Sequence, residues 1–148
     1  MPVEIRSGLT QKAACDMSGT SGILAGVGVL GSVLGDLWVL QGGHWTFVDP
    51  DRFLPHNLIR HKGFDAFVGQ PKVNIVRDTA AAVFPDWDPP KAIATSVLAG
   101  GEEIASAMSS AGLVVDVTTT LEAPRELARR SDSPRTASLF VTPSGLLV

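Results

Sequence analysis

The segment Gly26-Val27-Gly28-Val29-Leu30-Gly31 constrains this chain more than any other. It follows a short apolar run, 22–26, that reads as a buried strand. It leads into Ser32, Val33, Leu34, Leu37, Trp38, Val39 and Leu40, a helical pattern apolar on nearly every side and so expected to be packed all round. Between a strand and a helix, each glycine of this spacing has a physical task. Gly26 permits the tight turn, Gly28 lets a phosphate reach the backbone, and Gly31 lets helix and strand approach closely. The free N–H groups of the first helical turn then face the anion. A glycine-rich turn that binds nothing is the competing reading, and the strand before and helix after disfavour it.

Beyond Gly42-Gly43, which stop the helix, strands and helices alternate. Strands are expected over 44–49, 91–97 and 113–117, and helices over 71–84, 102–111 and 121–130. Pro71 suits a first helical turn, Glu102 and Glu103 the positive end of a helix dipole, and Arg129-Arg130 the negative end. Two apolar pieces, 138–142 and 146–148, flank Pro143-Ser144-Gly145 as a terminal hairpin whose pairing could be antiparallel. The alternation predicts an α/β fold, a Rossmann-like three-layer domain with a mainly parallel sheet and helices on both faces. Residues 1–148 read as a single domain with 1–21 as an N-terminal extension. Because the sequence stops inside an apolar strand, a fragment of a longer protein is expected.

Composition narrows the classes. A hydrophobic share of 45% against 18% charged residues excludes disorder. The net charge of −3, with no Lys/Arg run, argues against a nucleic-acid partner. The stretch 23–40 is broken by glycines and Asp36, which argues against a membrane span or signal peptide. Cys15 is the one cysteine, so neither an internal disulfide nor a zinc site built on cysteine pairs can form, and a cytoplasmic setting is expected.

Asp49 ends the second expected strand, where a carboxylate can accept ribose hydroxyls, and Asp51 follows it. To this point NAD and ATP are equally served. The next loop distinguishes them. Asp49-Pro50-Asp51, then Asn57-Leu58-Ile59-Arg60, then Gly69-Gln70-Pro71-Lys72 resembles the ThiF/MoeB/HesA family of ubiquitin-activating-enzyme-like proteins. That family has a Gly-x-Gly-x-x-Gly loop, an Asp-x-Asp strand end, Asn-Leu-x-Arg and Gly-x-x-Lys in this order. The resemblance runs from residue 22 to about 122.

The resemblance implies an ATP-dependent adenylyltransferase domain that activates the C-terminal carboxylate of a ubiquitin-like or sulfur-carrier protein, works as a homodimer and uses Mg2+. It implies that Asp49 and Asp51 lie at the ribose, that Asn57, Arg60 and Lys72 gather on the phosphates, and that Asp116 contacts nucleotide and metal. The chemistry is consistent. A carboxylate attacking the α-phosphorus builds negative charge on phosphate oxygens, which guanidinium and ammonium groups stabilise. No general base is required, since the attacking carboxylate is ionised at neutral pH.

Departures from the family pattern are visible too. After the fourth strand the family has Asp-x-Thr-Asp-Asn, whereas this chain has Asp116-Val117-Thr118-Thr119-Thr120, so Thr119 stands where a magnesium-binding aspartate is expected. A threonine is a poorer ligand for a hard cation. The family's C-terminal part, with its zinc-binding or thioester-forming cysteine, is expected to be absent before Val148. Two other readings therefore stay open. An NAD(P)-dependent oxidoreductase domain would explain Gly26, Gly28, Gly31 and Asp49 but leave Asn57, Arg60 and Lys72 without a task. A non-catalytic partner subunit would explain Thr119.

The remaining candidates are blander. His56 and His61 read as hydrogen-bonded loop histidines and not as a metal pair. Trp38 and Trp45 read as core or interface, and Phe64 and Phe67 as loop anchors or partner contacts. Cys15 reads as a plain thiol. Arg6 precedes the first strand, where the family places an arginine given to a partner subunit, but its surroundings do not match.

Overall fold

The computed structural model describes residues 21–141, apart from Gln41, Lys62 and Trp87. Arg6, Cys15 and the expected strand piece 146–148 lie outside the described residues. Five parallel strands form one sheet: β1 (Ser21–Ala25), β2 (His44–Val48), β3 (Lys91–Ile93), β4 (Leu113–Asp116) and β5 (Arg135–Ser138), in the order β3-β2-β1-β4-β5. Helix α1 (Val29–Leu40) links β1 to β2, α2 (Lys72–Val83) precedes β3, α3 (Glu102–Ser110) precedes β4 and α4 (Glu122–Arg129) precedes β5.

The central strands are apolar on both sides because both faces of the sheet are covered. Leu24, Trp45, Phe47 and Val115 face α1 and α2, packing on Val39, Val73 and Val76. Ile23, Val48, Ile93 and Val114 face the other way and pack on Ile104 and Met108 of α3 and Leu127 of α4. This is the three-layer α/β arrangement expected from the sequence.

Two glycines of the loop are required by sterics alone. Gly26 has φ +91°, and a Cβ there would sit 2.8 Å from the Val117 backbone. A Cβ on Gly31 would run into the carbonyl oxygen of Gly26. At the other end of β1, Gly22 leaves room for the Trp45 ring, which stacks on Trp38 with centroids 4.2 Å apart. Trp45 is thus a core residue and pins α1 to β2.

The structure revises some expected boundaries. β3 ends at Ile93, four residues early, where the Thr95 N–H folds back onto the Ile93 carbonyl at 2.9 Å, and Ser96 Oγ then accepts the Leu98 N–H in the turn that follows. β5 covers 135–138, starts just after Pro134 and is parallel to β4, ahead of the strand expected over 138–142; the expected hairpin with 146–148 lies outside the described residues. Helix α1 is not packed all round. It buries Gly31, Ser32, Gly35 and Val39, while Val29, Val33, Leu37 and Leu40 form an exposed apolar row at helical spacing. None of the helices is long and apolar enough to cross a membrane among the described residues.

The Gly31 contact yields a stability test. Gly31→Ala should lose about 1–3 kcal/mol, as overpacking at a closed contact does, seen as a lower urea midpoint at unchanged slope. A midpoint equal to that of the parent would mean that helix and loop can part at no cost.

Candidate nucleotide-binding site

A cavity of about 700 Å³ opens at the carboxyl ends of the strands, where the chain leaves β1 to one side and β4 lies on the other. This reversal of strand order is where open α/β sheets bind ligands. The first turn of α1 borders the cavity through Gly28, Val29 and Leu30. A Cβ at Gly28 would meet no atom within 4 Å, so this glycine faces open space where Gly26 and Gly31 face protein.

Asp49, one residue past β2, is only 5% exposed. Its Oδ2 accepts the Val27 N–H at 2.7 Å and its Oδ1 accepts the Asp51 N–H at 2.7 Å. Burial pushes the carboxyl above its ordinary pKa, while the hydrogen bonds from Asp51 and Val27 and the charge of Lys72 pull it back. The carboxylate therefore holds the glycine loop against the end of β2. With two lone pairs on each oxygen it retains capacity for ribose hydroxyls.

The segment 51–72 closes on itself. Phe53 N–H donates to Gln70 O at 2.8 Å, Gly69 N–H to Phe53 O at 2.8 Å, and Lys72 N–H to Asp51 O at 3.0 Å. The fully buried Phe53 ring fills the loop, against Gly63 and edge-on to His61 at 5.1 Å. Lys72, 8% exposed, points its Nζ at Asp51 Oδ2, 2.8 Å away, and both residues line the cavity. Arg60 lines it too, on an exposed part of the loop. Asn57 does not: its Oδ1 accepts the Leu54 N–H at 2.8 Å and its carbonyl accepts from Arg60 and His61. It shapes the turn Pro55–Ile59 that carries Arg60.

Asp116, expected on the nucleotide and on magnesium, is 3% exposed and stands behind the cavity wall. Oδ1 accepts the Thr118 N–H and Oγ–H at 2.9 and 2.7 Å, and Oδ2 accepts the Ser138 hydroxyl at 3.0 Å. Since Thr118 gives its proton to Asp116, Thr120 donates to Thr118 Oγ at 3.1 Å and accepts the Ala123 N–H at 3.2 Å at the start of α4. Thr119 sits in the left-handed region at φ 60°, an unusual conformation for a β-branched residue. Among the described residues no group of three His, Cys, Asp or Glu side chains could hold a metal. Asp116 spends both carboxylate oxygens on the loop after β4 and its neighbour β5, and Thr119 offers a neutral hydroxyl at the loop tip.

Of the expected residues, Gly26, Gly28, Asp49, Asp51, Arg60 and Lys72 border one cavity, while Gly31, Asn57 and Asp116 support it from behind. Ser96 and Thr118 border it as well and were not expected. Ser96 was hidden by a strand expected to run on to Val97. Thr118 could have been read from its place directly after the β4 carboxyl end.

A model of the ThiF family matches residues 10–145. The chain belongs to the ThiF family. Among solved structures it is similar to E. coli tRNA N6-threonylcarbamoyladenosine dehydratase, TcdA, at TM-score 0.75 and 17% identity over 91% of this chain and 59% of that one. The same protein in complex with ATP gives TM-score 0.74 at 17% identity, over 91% of this chain and 58% of that one. E. coli MccB with ATP gives 0.71 at 14% identity, over 91% of this chain and 40% of that one. The ThiF-family chain therefore spans roughly two-fifths to three-fifths of these relatives. A search of the curated proteins finds no match.

Removing the Asp49 carboxylate leaves two N–H donors without their acceptor. Asp49→Ala should cost at least about 2 kcal/mol, taking 1–3 kcal/mol for each orphaned buried group, measured by urea denaturation. A loss under about 0.5 kcal/mol, the usual range for an indifferent surface change, would show that the bridge does not hold the loop.

Proposed function

We propose that this domain binds ATP and forms an adenylate on a carboxylate, the C-terminal carboxylate of a ubiquitin-like or sulfur-carrier protein. The observation that carries the reading is that Arg60 and Lys72, from a loop with no task in a nicotinamide enzyme, border the same cavity as Gly28 and Asp49. In this reading the α1 N-terminus and Gly28 receive the phosphates, and Asp49 the ribose. Arg60 and Lys72 stabilise the charge that grows on phosphate oxygens as the carboxylate attacks the α-phosphorus and pyrophosphate leaves. Asp51 holds the Lys72 ammonium in place until a phosphate competes for it. Asn57 and Asp116 serve through the loops that they shape.

The comparisons bear on substrate class only by analogy. TcdA is named for a modified tRNA nucleoside, yet this chain's net charge of −3 and lack of a Lys/Arg run favour a protein carboxylate. A non-catalytic partner subunit is the second reading. Its support is the engagement of Asp116 with Thr118 and Ser138 and the presence of Thr119 at the loop tip.

Melting in the presence of ligand separates these readings, because a ligand that binds only the folded form raises the midpoint. ATP should stabilise the chain and NADH should not. Arg60→Ala and Gly28→Ala should each weaken ATP at least tenfold, with Gly28→Ala folding normally because its Cβ has room. Stabilisation by NADH alone would sink the proposal. ATP–pyrophosphate exchange by the natural protein with its carrier tests catalysis, and binding without exchange would favour the partner-subunit reading.

We also propose that the protein acts in the cytoplasm as a homodimer. The exposed row Val29, Val33, Leu37 and Leu40 supports a second copy on α1. Leu37→Asp should shift a dimer to monomer in light scattering, and a dimer that survives the charge would place the contact elsewhere.

A further inference from the structure

We infer that His61 is a positioning residue for the nucleotide site, fixing the glycine loop and the Arg60 loop in one register. The inference rests on the reading that this cavity binds ATP.

His61 Nε2 lies 2.6 Å from the carbonyl oxygen of Val27, thirty-four positions away in sequence. A carbonyl can only accept, so Nε2 carries the proton and donates. The same residue, Val27, gives its N–H to Asp49 at 2.7 Å and has a fully buried side chain. Its backbone is therefore gripped on both polar groups, by the end of β2 on one side and by the Arg60 loop on the other. In a trans peptide the C=O and the next N–H point in opposite directions. Holding the Val27 carbonyl toward His61 consequently aims the Gly28 N–H away from it. Gly28 is the loop residue with open space before it and a place in the cavity wall.

The second half of the clamp concerns Arg60. His61 follows it directly, and both N–H groups donate to the Asn57 carbonyl, at 3.0 and 2.8 Å. Anchoring the imidazole to Val27 thus sets where the neighbouring guanidinium starts from. Asp49 joins the glycine loop to the base of the 51–72 segment, and the His61 bond adds a second tie at the distal part of the segment, next to Arg60.

One cost argues that the imidazole is kept for its geometry. His61 is 7% exposed, and its Nδ1 is buried with no hydrogen-bond partner among the described residues. An unpaired buried polar atom is unfavourable. A residue present only to fill space could be leucine or phenylalanine and avoid it. What those side chains lack is a donor at the position of Nε2.

The test uses two amides of similar size. The terminal N–H of His61→Gln can stand where Nε2 does, whereas the amide of His61→Asn ends near the position of Nδ1 and leaves the Val27 carbonyl unpaired. ATP and adenosine affinities of wild type and both variants are compared by calorimetry. His61→Gln should bind ATP within about threefold of wild type. His61→Asn should lose at least tenfold for ATP with adenosine affinity little changed, a split that general loosening of the fold would not give. Equal ATP affinity of His61→Asn and wild type overturns the inference, as does an equal loss for ATP and adenosine. If His61→Asn does not fold, His61→Leu takes its place under the same criteria. Wild-type protein that fails to bind ATP at all overturns the ATP reading itself, and this inference with it.

Discussion

A buried carboxylate with two backbone N–H donors is the joint on which the site depends. Asp49 takes its hydrogen bonds from Val27 and Asp51, so the turn after β1 and the turn after β2 share one acceptor. Burial alone would drive this group toward its neutral form, and the two short N–H bonds and Lys72 oppose that tendency. Around it, Gly26 and Gly31 close the contact between loop, helix and the Val117 backbone. The cavity shape is thus set by the backbone of three strand ends, and the charged side chains are added to a frame that is already fixed.

Each loop that carries a charged or hydroxyl group also has its own internal support. The segment 51–72 is tied at its base by backbone bonds and filled by Phe53. The loop after β4 is wired from Asp116 through Thr118 and Thr120 into the first turn of α4. Arranging these groups before a ligand arrives lowers the ordering cost at binding. For this ThiF-family chain, that is how one sheet end presents several donors to a single cavity.

The order of elements was legible because parallel strands buried on both faces are written as continuous apolar runs, as in Ile23-Leu24-Ala25 and Val114-Val115. The glycine spacing and the ends of β2 and α2 located most of the cavity wall. What failed was legibility at the margins. β5 is an exposed outer strand, Arg135-Thr136-Ala137-Ser138, with no apolar period, so the run Leu139-Phe140-Val141 drew the expectation downstream. The end of β3 is set by a tight backbone turn at Ile93–Thr95, followed by Ser96 accepting the Leu98 N–H, neither of which an apolar pattern records. That Asn57 and Asp116 stand behind the cavity wall was not legible, because motifs name residues without saying which hydrogen bonds those residues already make. The burial of Phe53 and the reach of His61 to Val27 were unreadable for a related reason: both depend on contacts between segments far apart in sequence.

The two outer strands of the described sheet have one more consequence. β3 has three residues and β5 four, each begins directly after a proline, Pro90 or Pro134, and each opens with a cation, Lys91 or Arg135. Short, proline-led and charged borders are poor templates for another strand. Edge-to-edge sheet extension, the route by which exposed strands join into fibrils, is discouraged on both sides. Among the described residues, association is therefore directed to the helices and to the loops at one end of the sheet, and an open apolar helix face can stand beside strand borders that do not offer their backbone to a neighbour.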